Sequence, residues 1–122
     1  MKIQKIISIL EKWAPSAYAE DFDNVGLLVG KPEAECNGIL ITHDVLENVV
    51  DEAITKKYNL IVCFHPIIFS ALKKLTEKTY VERVVAKAIK NDISIYAIHT
   101  ALDNQKKGVS HSLANTLGLS DI

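Results

Sequence analysis

Two histidines mark the places in this chain where residue types and spacing could support chemistry. His65 follows the apolar run 60–64, and His99 follows the apolar run 93–98. Both runs have the length and the β-branched content of buried strands. Ligands of open α/β sheets bind outside the carboxyl ends of the strands, so neighbouring strands would bring His65, His99 and the nearby Asp103 toward one crevice. Imidazole and carboxylate ligands together suit a divalent transition metal.

The elements that must position these residues alternate along the chain. Apolar spacing predicts helices at 3–13, 45–54, 81–89 and 109–117, and short apolar runs predict strands at 25–29, 38–42, 60–63 and 93–98. The order from residue 38 to residue 98 is that of two βαβ units, whose strands are mostly parallel. We therefore predict an α/β fold with a mostly parallel or mixed sheet and helices packed on its faces. Asp44 is the predicted N-cap of the second helix.

Composition narrows the class of protein. The chain has 122 residues and is 48% hydrophobic, which predicts a single domain over 1–122. A net charge of -1 gives no electrostatic reason to expect nucleic acid or an anionic membrane as partner. Cys36 and Cys63 match neither a disulfide framework nor a metal-binding spacing. We expect a cytoplasmic protein with reduced thiols and no membrane segment.

Other polar residues receive structural interpretations. His43 precedes the predicted N-cap, and a structural role is favoured there. His111 falls in the first turn of the last helix, where a solvated position is favoured, so the roles of both histidines stay open. Asp23 and Asn24 are typical of a turn into a strand, with a pocket-lining role as the alternative. The sequence contains no glycine-rich phosphate loop and no nucleophile elbow.

Several stretches together resemble a known family along nearly the whole chain. They are DNVGLLVG at 23–30, DV at 44–45 with DEA at 51–53, HPIIF at 65–69, HTALD at 99–103, GV at 108–109 and LGL at 117–119. In these motifs the chain resembles the N-terminal part of the Nif-three-like dinuclear metal-centre family, whose members are often named type 2 GTP cyclohydrolase I. The resemblance implies a metal-dependent, hydrolase-like function that uses a metal-activated water, and a homo-oligomeric assembly.

The resemblance also implies a set of metal ligands, which this sequence keeps only in part. The family has two adjacent histidines before the proline, but here the first is Phe64 and only His65 remains. Asp103 matches a second ligand, and His99 is a third ligand or a residue that orients one. The other family ligands come from a C-terminal segment, which we expect to lie outside these 122 residues.

Two functional hypotheses follow from this ligand set. The first is a divalent-metal-binding, hydrolase-like protein with an incomplete site, which binds Zn, Mn or Fe weakly or partially. A two-metal centre needs more ligands than remain, so we expect this chain alone to be inactive. The alternative is a non-catalytic oligomeric or partner-binding module that has lost the dinuclear centre. The substrate is left open, and the sequence gives no support for GTP.

Overall fold

Four short strands form one mixed sheet. The computed structural model describes residues 1–120. The strands are β1 (Gly26–Val29), β2 (Ile39–Thr42), β3 (Leu60–Cys63) and β4 (Ser94–Ala97), in the spatial order β1-β4-β3-β2. β2, β3 and β4 run parallel, and β1 is antiparallel to β4. The predicted α/β class, with a mostly parallel or mixed sheet, is confirmed.

Five helices connect and cover these strands in the described part of the chain. They are α1 (Ile3–Trp13), α2 (Glu47–Lys56), α3 (Tyr80–Lys90), α4 (His99–Asp103) and α5 (Val109–Thr116). α4 was not predicted from the sequence, because its residues directly follow a strand and carry no helical apolar repeat. Within residues 1–120, no helix combines the length and the apolar character that crossing a membrane requires.

The sheet separates two apolar clusters, one on each face. Leu40, Ile61 and Ile95 face the side covered by α2 and α3, and all three are buried. Leu60 and Tyr96 face the other side, where they pack with α1. Successive strand residues point to opposite faces, so these mostly apolar strands supply both clusters at once.

The start of α2 corrects one prediction. Asp44 is not the N-cap of this helix; the N-cap is Leu46, and no side chain caps it. Val45 lies between them and is 3% exposed, because it packs into the core before the helix begins. The helix start is therefore displaced by two residues, and the Asp44 carboxylate is available for other partners.

Candidate metal centre

The parallel strands β2, β3 and β4 bring three histidines to one edge of the sheet. Backbone pairing continues past the strand ends, since the His65 N–H donates to the His43 carbonyl at 3.0 Å. On the other side of β3, the His99 N–H donates to the Phe64 carbonyl at 3.0 Å. These bonds fix the order His43, His65, His99 across the carboxyl edge of the sheet, which is where ligands bind in open α/β sheets.

His43, Asp44 and His65 form a cluster of potential metal ligands, which we call the HDH cluster. Each residue offers one ligand atom, and these atoms lie within 4.8 Å of one another. Asp44 Oδ1 is 2.8 Å from His65 Nδ1, and Asp44 Oδ2 is 3.2 Å from His43 Nδ1. All three side chains reach solvent, with exposed fractions of 66%, 56% and 44% for His43, Asp44 and His65. An ion could enter from solvent without any rearrangement of the core.

The two imidazoles stabilise the charged form of Asp44. The hydrogen bond from His65, followed by that from His43, holds the pKa of the Asp44 carboxyl below its usual value. The carboxylate is therefore ionised at neutral pH, which is the state that binds a cation.

Phe64 lies among the imidazole rings. Its ring stacks on His43 with centroids 5.2 Å apart and an interplanar angle of 9°. Its centroid is also 5.1 Å from that of His65 and 5.3 Å from that of His99. The phenyl ring thus contributes apolar packing at a position where another imidazole would contribute a nitrogen donor.

His99 is held by a buried carboxylate on the far side of the site. Its Nδ1 is 2.9 Å from Asp23 Oδ1, and the Asp23 side chain is fully buried. Burial raises the pKa of the Asp23 carboxyl, but hydrogen bonds from His99, Thr100 and the Asn24 N–H outweigh it and lower the pKa overall. Asp23 is therefore ionised, and its role extends beyond the turn that the sequence predicted.

The structure brings together part of the predicted ligand set. The rings of His65 and His99 meet edge to face, with centroids 5.3 Å apart. Asp103 is the last residue of α4, is partly buried and is not a member of the HDH cluster. Metal binding by His65, Asp103 and His99 remains a prediction, and His65 belongs to both candidate sets.

His43 and Asp44 were not among the metal ligands predicted from the sequence. The strand order could have indicated them as ligands. β2 is parallel to β3, and Thr42 lies opposite Cys63, so the residues that follow the two strands lie at the same edge of the sheet. His43 and Asp44 follow β2 as Phe64 and His65 follow β3. Because Asp44 was predicted to cap a helix, no ligand role was expected for it.

Cys63 and His111 do not belong to the HDH cluster. Cys63 is buried, and burial raises the pKa of its thiol to about 12, so it stays protonated at neutral pH. A protonated thiol is a poor nucleophile and a poor metal ligand. His111 lies in the first turn of α5 and is partly buried.

Comparison with known proteins identifies the family of this chain. The family model described as Duf34/NIF3 (NGG1p interacting factor 3) matches residues 1–122. The chain belongs to the DUF34/NIF3 family. A GTP cyclohydrolase 1 type 2 homolog of Clostridium acetobutylicum is 41% identical over 97% of this chain and 44% of its own length. NIF3-like protein 1 of Bos taurus is 42% identical over 98% of this chain and 32% of its own length.

Solved structures agree with this membership. A Bacillus cereus protein related to NIF3 superposes with a TM-score of 0.93 and 40% identity, covering 99% of this chain and 33% of that one. Reduced HcgD from Methanocaldococcus jannaschii gives a TM-score of 0.90 at 29% identity, covering 99% of this chain and 48% of that one. This NIF3-family chain therefore spans about a third to a half of the length of these relatives.

Proposed function

We propose that this NIF3-family chain binds one divalent transition-metal ion through the HDH cluster. The observation that supports this is the mutual approach of the ligand atoms of His43, Asp44 and His65 within 4.8 Å. Two imidazoles and one carboxylate form a donor set that suits Zn²⁺, Fe²⁺ or Mn²⁺. The donor chemistry therefore fits the metal that the family resemblance implies.

The residues around the ion would have distinct tasks. Asp44 supplies the negative charge, and His43 and His65 supply neutral nitrogen donors from the ends of adjacent strands. Phe64 covers one side of these donors and excludes water there, because its ring packs against both imidazoles. A divalent ion held there would act as a Lewis acid that polarises a carbonyl or phosphoryl oxygen of a substrate.

We propose that binding is weak and that the site is incomplete for catalysis. Catalytic zinc sites generally use three well-oriented protein ligands for one ion. The HDH cluster also offers three ligands, but they are exposed, so packing does not hold them in one orientation. A two-metal centre needs additional ligands. The hydrolase-like activity implied by the family, and by relatives named GTP cyclohydrolase 1 type 2 homolog, would then require donors beyond the HDH cluster.

Calorimetric titration of metal-free protein with Zn²⁺ and Mn²⁺ tests this proposal. We expect about one ion per chain, and a loss of affinity in His43→Asn and Asp44→Asn that exceeds the 10–100-fold typical of an outer-shell change. His111→Asn is the matched control, because it removes an imidazole of α5 that does not belong to the HDH cluster. An unchanged affinity in both cluster variants would contradict the proposal.

The same titration separates the two candidate ligand sets. His43 and Asp44 belong only to the HDH cluster, whereas Asp103 belongs only to the set predicted from sequence. We expect Asp103→Asn to retain most of the affinity. A loss in Asp103→Asn with none in His43→Asn would favour His65, Asp103 and His99 as the ligands.

A specific observation favours the alternative of a non-catalytic assembly module. Ile41 in the edge strand β2 is 81% exposed, and Ile39 on the same face is also exposed. β2 pairs only with β3, so its other edge is open within residues 1–120. An apolar, open sheet edge is typical of a surface that pairs with another chain. Homo-oligomerisation through this edge is compatible with metal binding at the HDH cluster.

A further inference from the structure

The Asp23 carboxylate is surrounded by hydrogen-bond donors, so both of its oxygens act as acceptors. Oδ1 accepts from the Asn24 N–H at 2.7 Å, and Oδ2 accepts from the Thr100 N–H at 3.1 Å. The Thr100 hydroxyl also donates to Oδ2, and its own oxygen accepts from the Glu20 N–H at 3.0 Å. Every other partner of this buried carboxylate is a donor, so it acts solely as an acceptor.

The remaining contact therefore determines the tautomer of His99. An acceptor carboxylate 2.9 Å from His99 Nδ1 requires that Nδ1 carry the proton. A neutral imidazole protonated at Nδ1 leaves Nε2 with a free lone pair. Within residues 1–120, His99 Nε2 forms no hydrogen bond.

We propose that Asp23 is a positioning residue that holds His99 in the Nδ1–H tautomer, so that Nε2 is a preformed donor atom beside the HDH cluster. Its relevance to metal binding rests on the function proposed above, whereas the tautomer does not. His99 lies next to this cluster, since its ring meets that of His65 at 5.3 Å. Ring nitrogens of metal-binding histidines are generally oriented in this way by a carboxylate on the other nitrogen.

The backbone supports a functional reason for this arrangement. His99 has a φ of 29°, a left-handed value that residues other than glycine rarely adopt. Such strain persists only when surrounding contacts enforce it, and it concentrates at functional sites. Here the contacts are the hydrogen bonds that His99 and Thr100 donate to the Asp23 carboxylate, which fix the first turn of α4.

Nitrogen-15 NMR of the histidine rings in metal-free protein tests the tautomer directly. We expect His99 to show a protonated, pyrrole-type Nδ1 and an unprotonated, pyridine-type Nε2. A neutral ring that carries its proton on Nε2 instead would overturn the proposal. This measurement uses the unaltered chain, so it stands even if a variant does not fold.

Asp23→Asn tests the positioning role, with Asp21→Asn as the matched control. Asp21 is an exposed carboxylate two residues away. We expect Asp23→Asn to lose the single tautomer and to bind Zn²⁺ about 10–100-fold more weakly, the range for an outer-shell partner. Asp21→Asn should match the unaltered chain in both readouts.

The outcomes distinguish this proposal from the proposed function. If the unaltered chain binds no Zn²⁺, the metal function fails, and the tautomer alone decides whether Asp23 positions His99. If Zn²⁺ binds and Asp23→Asn changes neither the tautomer nor the affinity, the positioning role is refuted while the metal site stands.

Discussion

Phe64 limits how many donors the candidate centre can offer. Its ring lies within 5.3 Å, centroid to centroid, of the imidazoles of His43, His65 and His99. A ring nitrogen at this position would lie among the three imidazoles. The phenyl ring adds packing on the α1 side of the sheet but no lone pair.

We predict that Phe64→His tightens Zn²⁺ binding by about tenfold or more, because a direct ligand contributes at least as much as an outer-shell partner. The variant should unfold with a free energy lower by about 1–2 kcal/mol, since a partly buried apolar ring is lost. Titration calorimetry and urea denaturation measure the two effects. Phe64→Leu is the control: it loses the ring without gaining a donor, and a similar gain in affinity there would refute the explanation.

Sequence reasoning could predict part of the site at this scale. His65 and His99 end apolar runs, so their approach follows from the parallel order of β3 and β4. The partnership of His99 with Asp23 joins residues 76 positions apart, and no local pattern encodes such a contact. Asp44 had two uses that local sequence cannot separate, as a helix cap or as a partner for imidazoles.

At the scale of the elements, one carboxylate attaches α1 to the sheet. Glu11 of α1 accepts hydrogen bonds from the Tyr96 hydroxyl of β4 at 2.9 Å and from the Ser16 N–H at 3.0 Å. Burial raises the pKa of the Glu11 carboxyl, but the hydrogen bonds from Ser16 and Tyr96 outweigh this and lower it overall. The charged form is therefore stabilised in the folded protein.

This lowered pKa predicts a pH-dependent contribution to stability. The contribution is fully present above the unfolded-state pKa of about 4.3 and is lost as the pH falls through the folded-state value. We expect Glu11→Gln to lower the free energy of unfolding by roughly 1–2 kcal/mol at pH 7, a figure reduced for partial exposure. Urea denaturation between pH 7 and pH 3 should show this difference shrinking with acidification.

Glu52→Gln provides the comparison for Glu11→Gln. Glu52 forms an exposed pair with Lys56 one helical turn away, at 2.6 Å. Its substitution should cost only a few tenths of a kcal/mol at pH 7. If Glu11→Gln were equally mild, or if its effect grew as the pH fell, the bonds to Ser16 and Tyr96 would not stabilise the charged carboxylate.

The fold itself followed from the sequence to a large extent. Strands such as β3, whose four residues are apolar and mostly buried between helices, are defined by composition and length alone. The antiparallel addition of β1 beside β4 was not predictable in detail, because pairing order depends on contacts between distant segments. The short helix α4 was not predicted because its first turn depends on the hydrogen bonds that His99 and Thr100 donate to the distant Asp23.

At the scale of the whole molecule, the edge strand β2 presents exposed Ile39 and Ile41. α1 covers the β3 and β4 part of that sheet face, but these two side chains remain uncovered. We predict that the chain self-associates at micromolar concentration and that Ile41→Glu shifts it toward a 13.5 kDa species. Sedimentation velocity over a range of concentrations measures this.

Ile9→Glu is the control for self-association. Ile9 is an exposed isoleucine on α1 and does not belong to β2. We expect it to leave the oligomeric state unchanged. An unaltered chain that sediments as a monomer throughout, or equal effects of the two substitutions, would contradict assembly through β2.

The position of a bound ion shows whether the HDH cluster holds the metal. Crystals of the chain soaked with Zn²⁺ and measured at the zinc absorption edge give an anomalous peak wherever the ion is held. The HDH cluster predicts one peak within bonding distance, about 2.0–2.2 Å, of a ring nitrogen of His43, a ring nitrogen of His65 and an oxygen of Asp44. A peak bonded to Asp103 and remote from Asp44, or no peak at the sheet edge, would contradict the account.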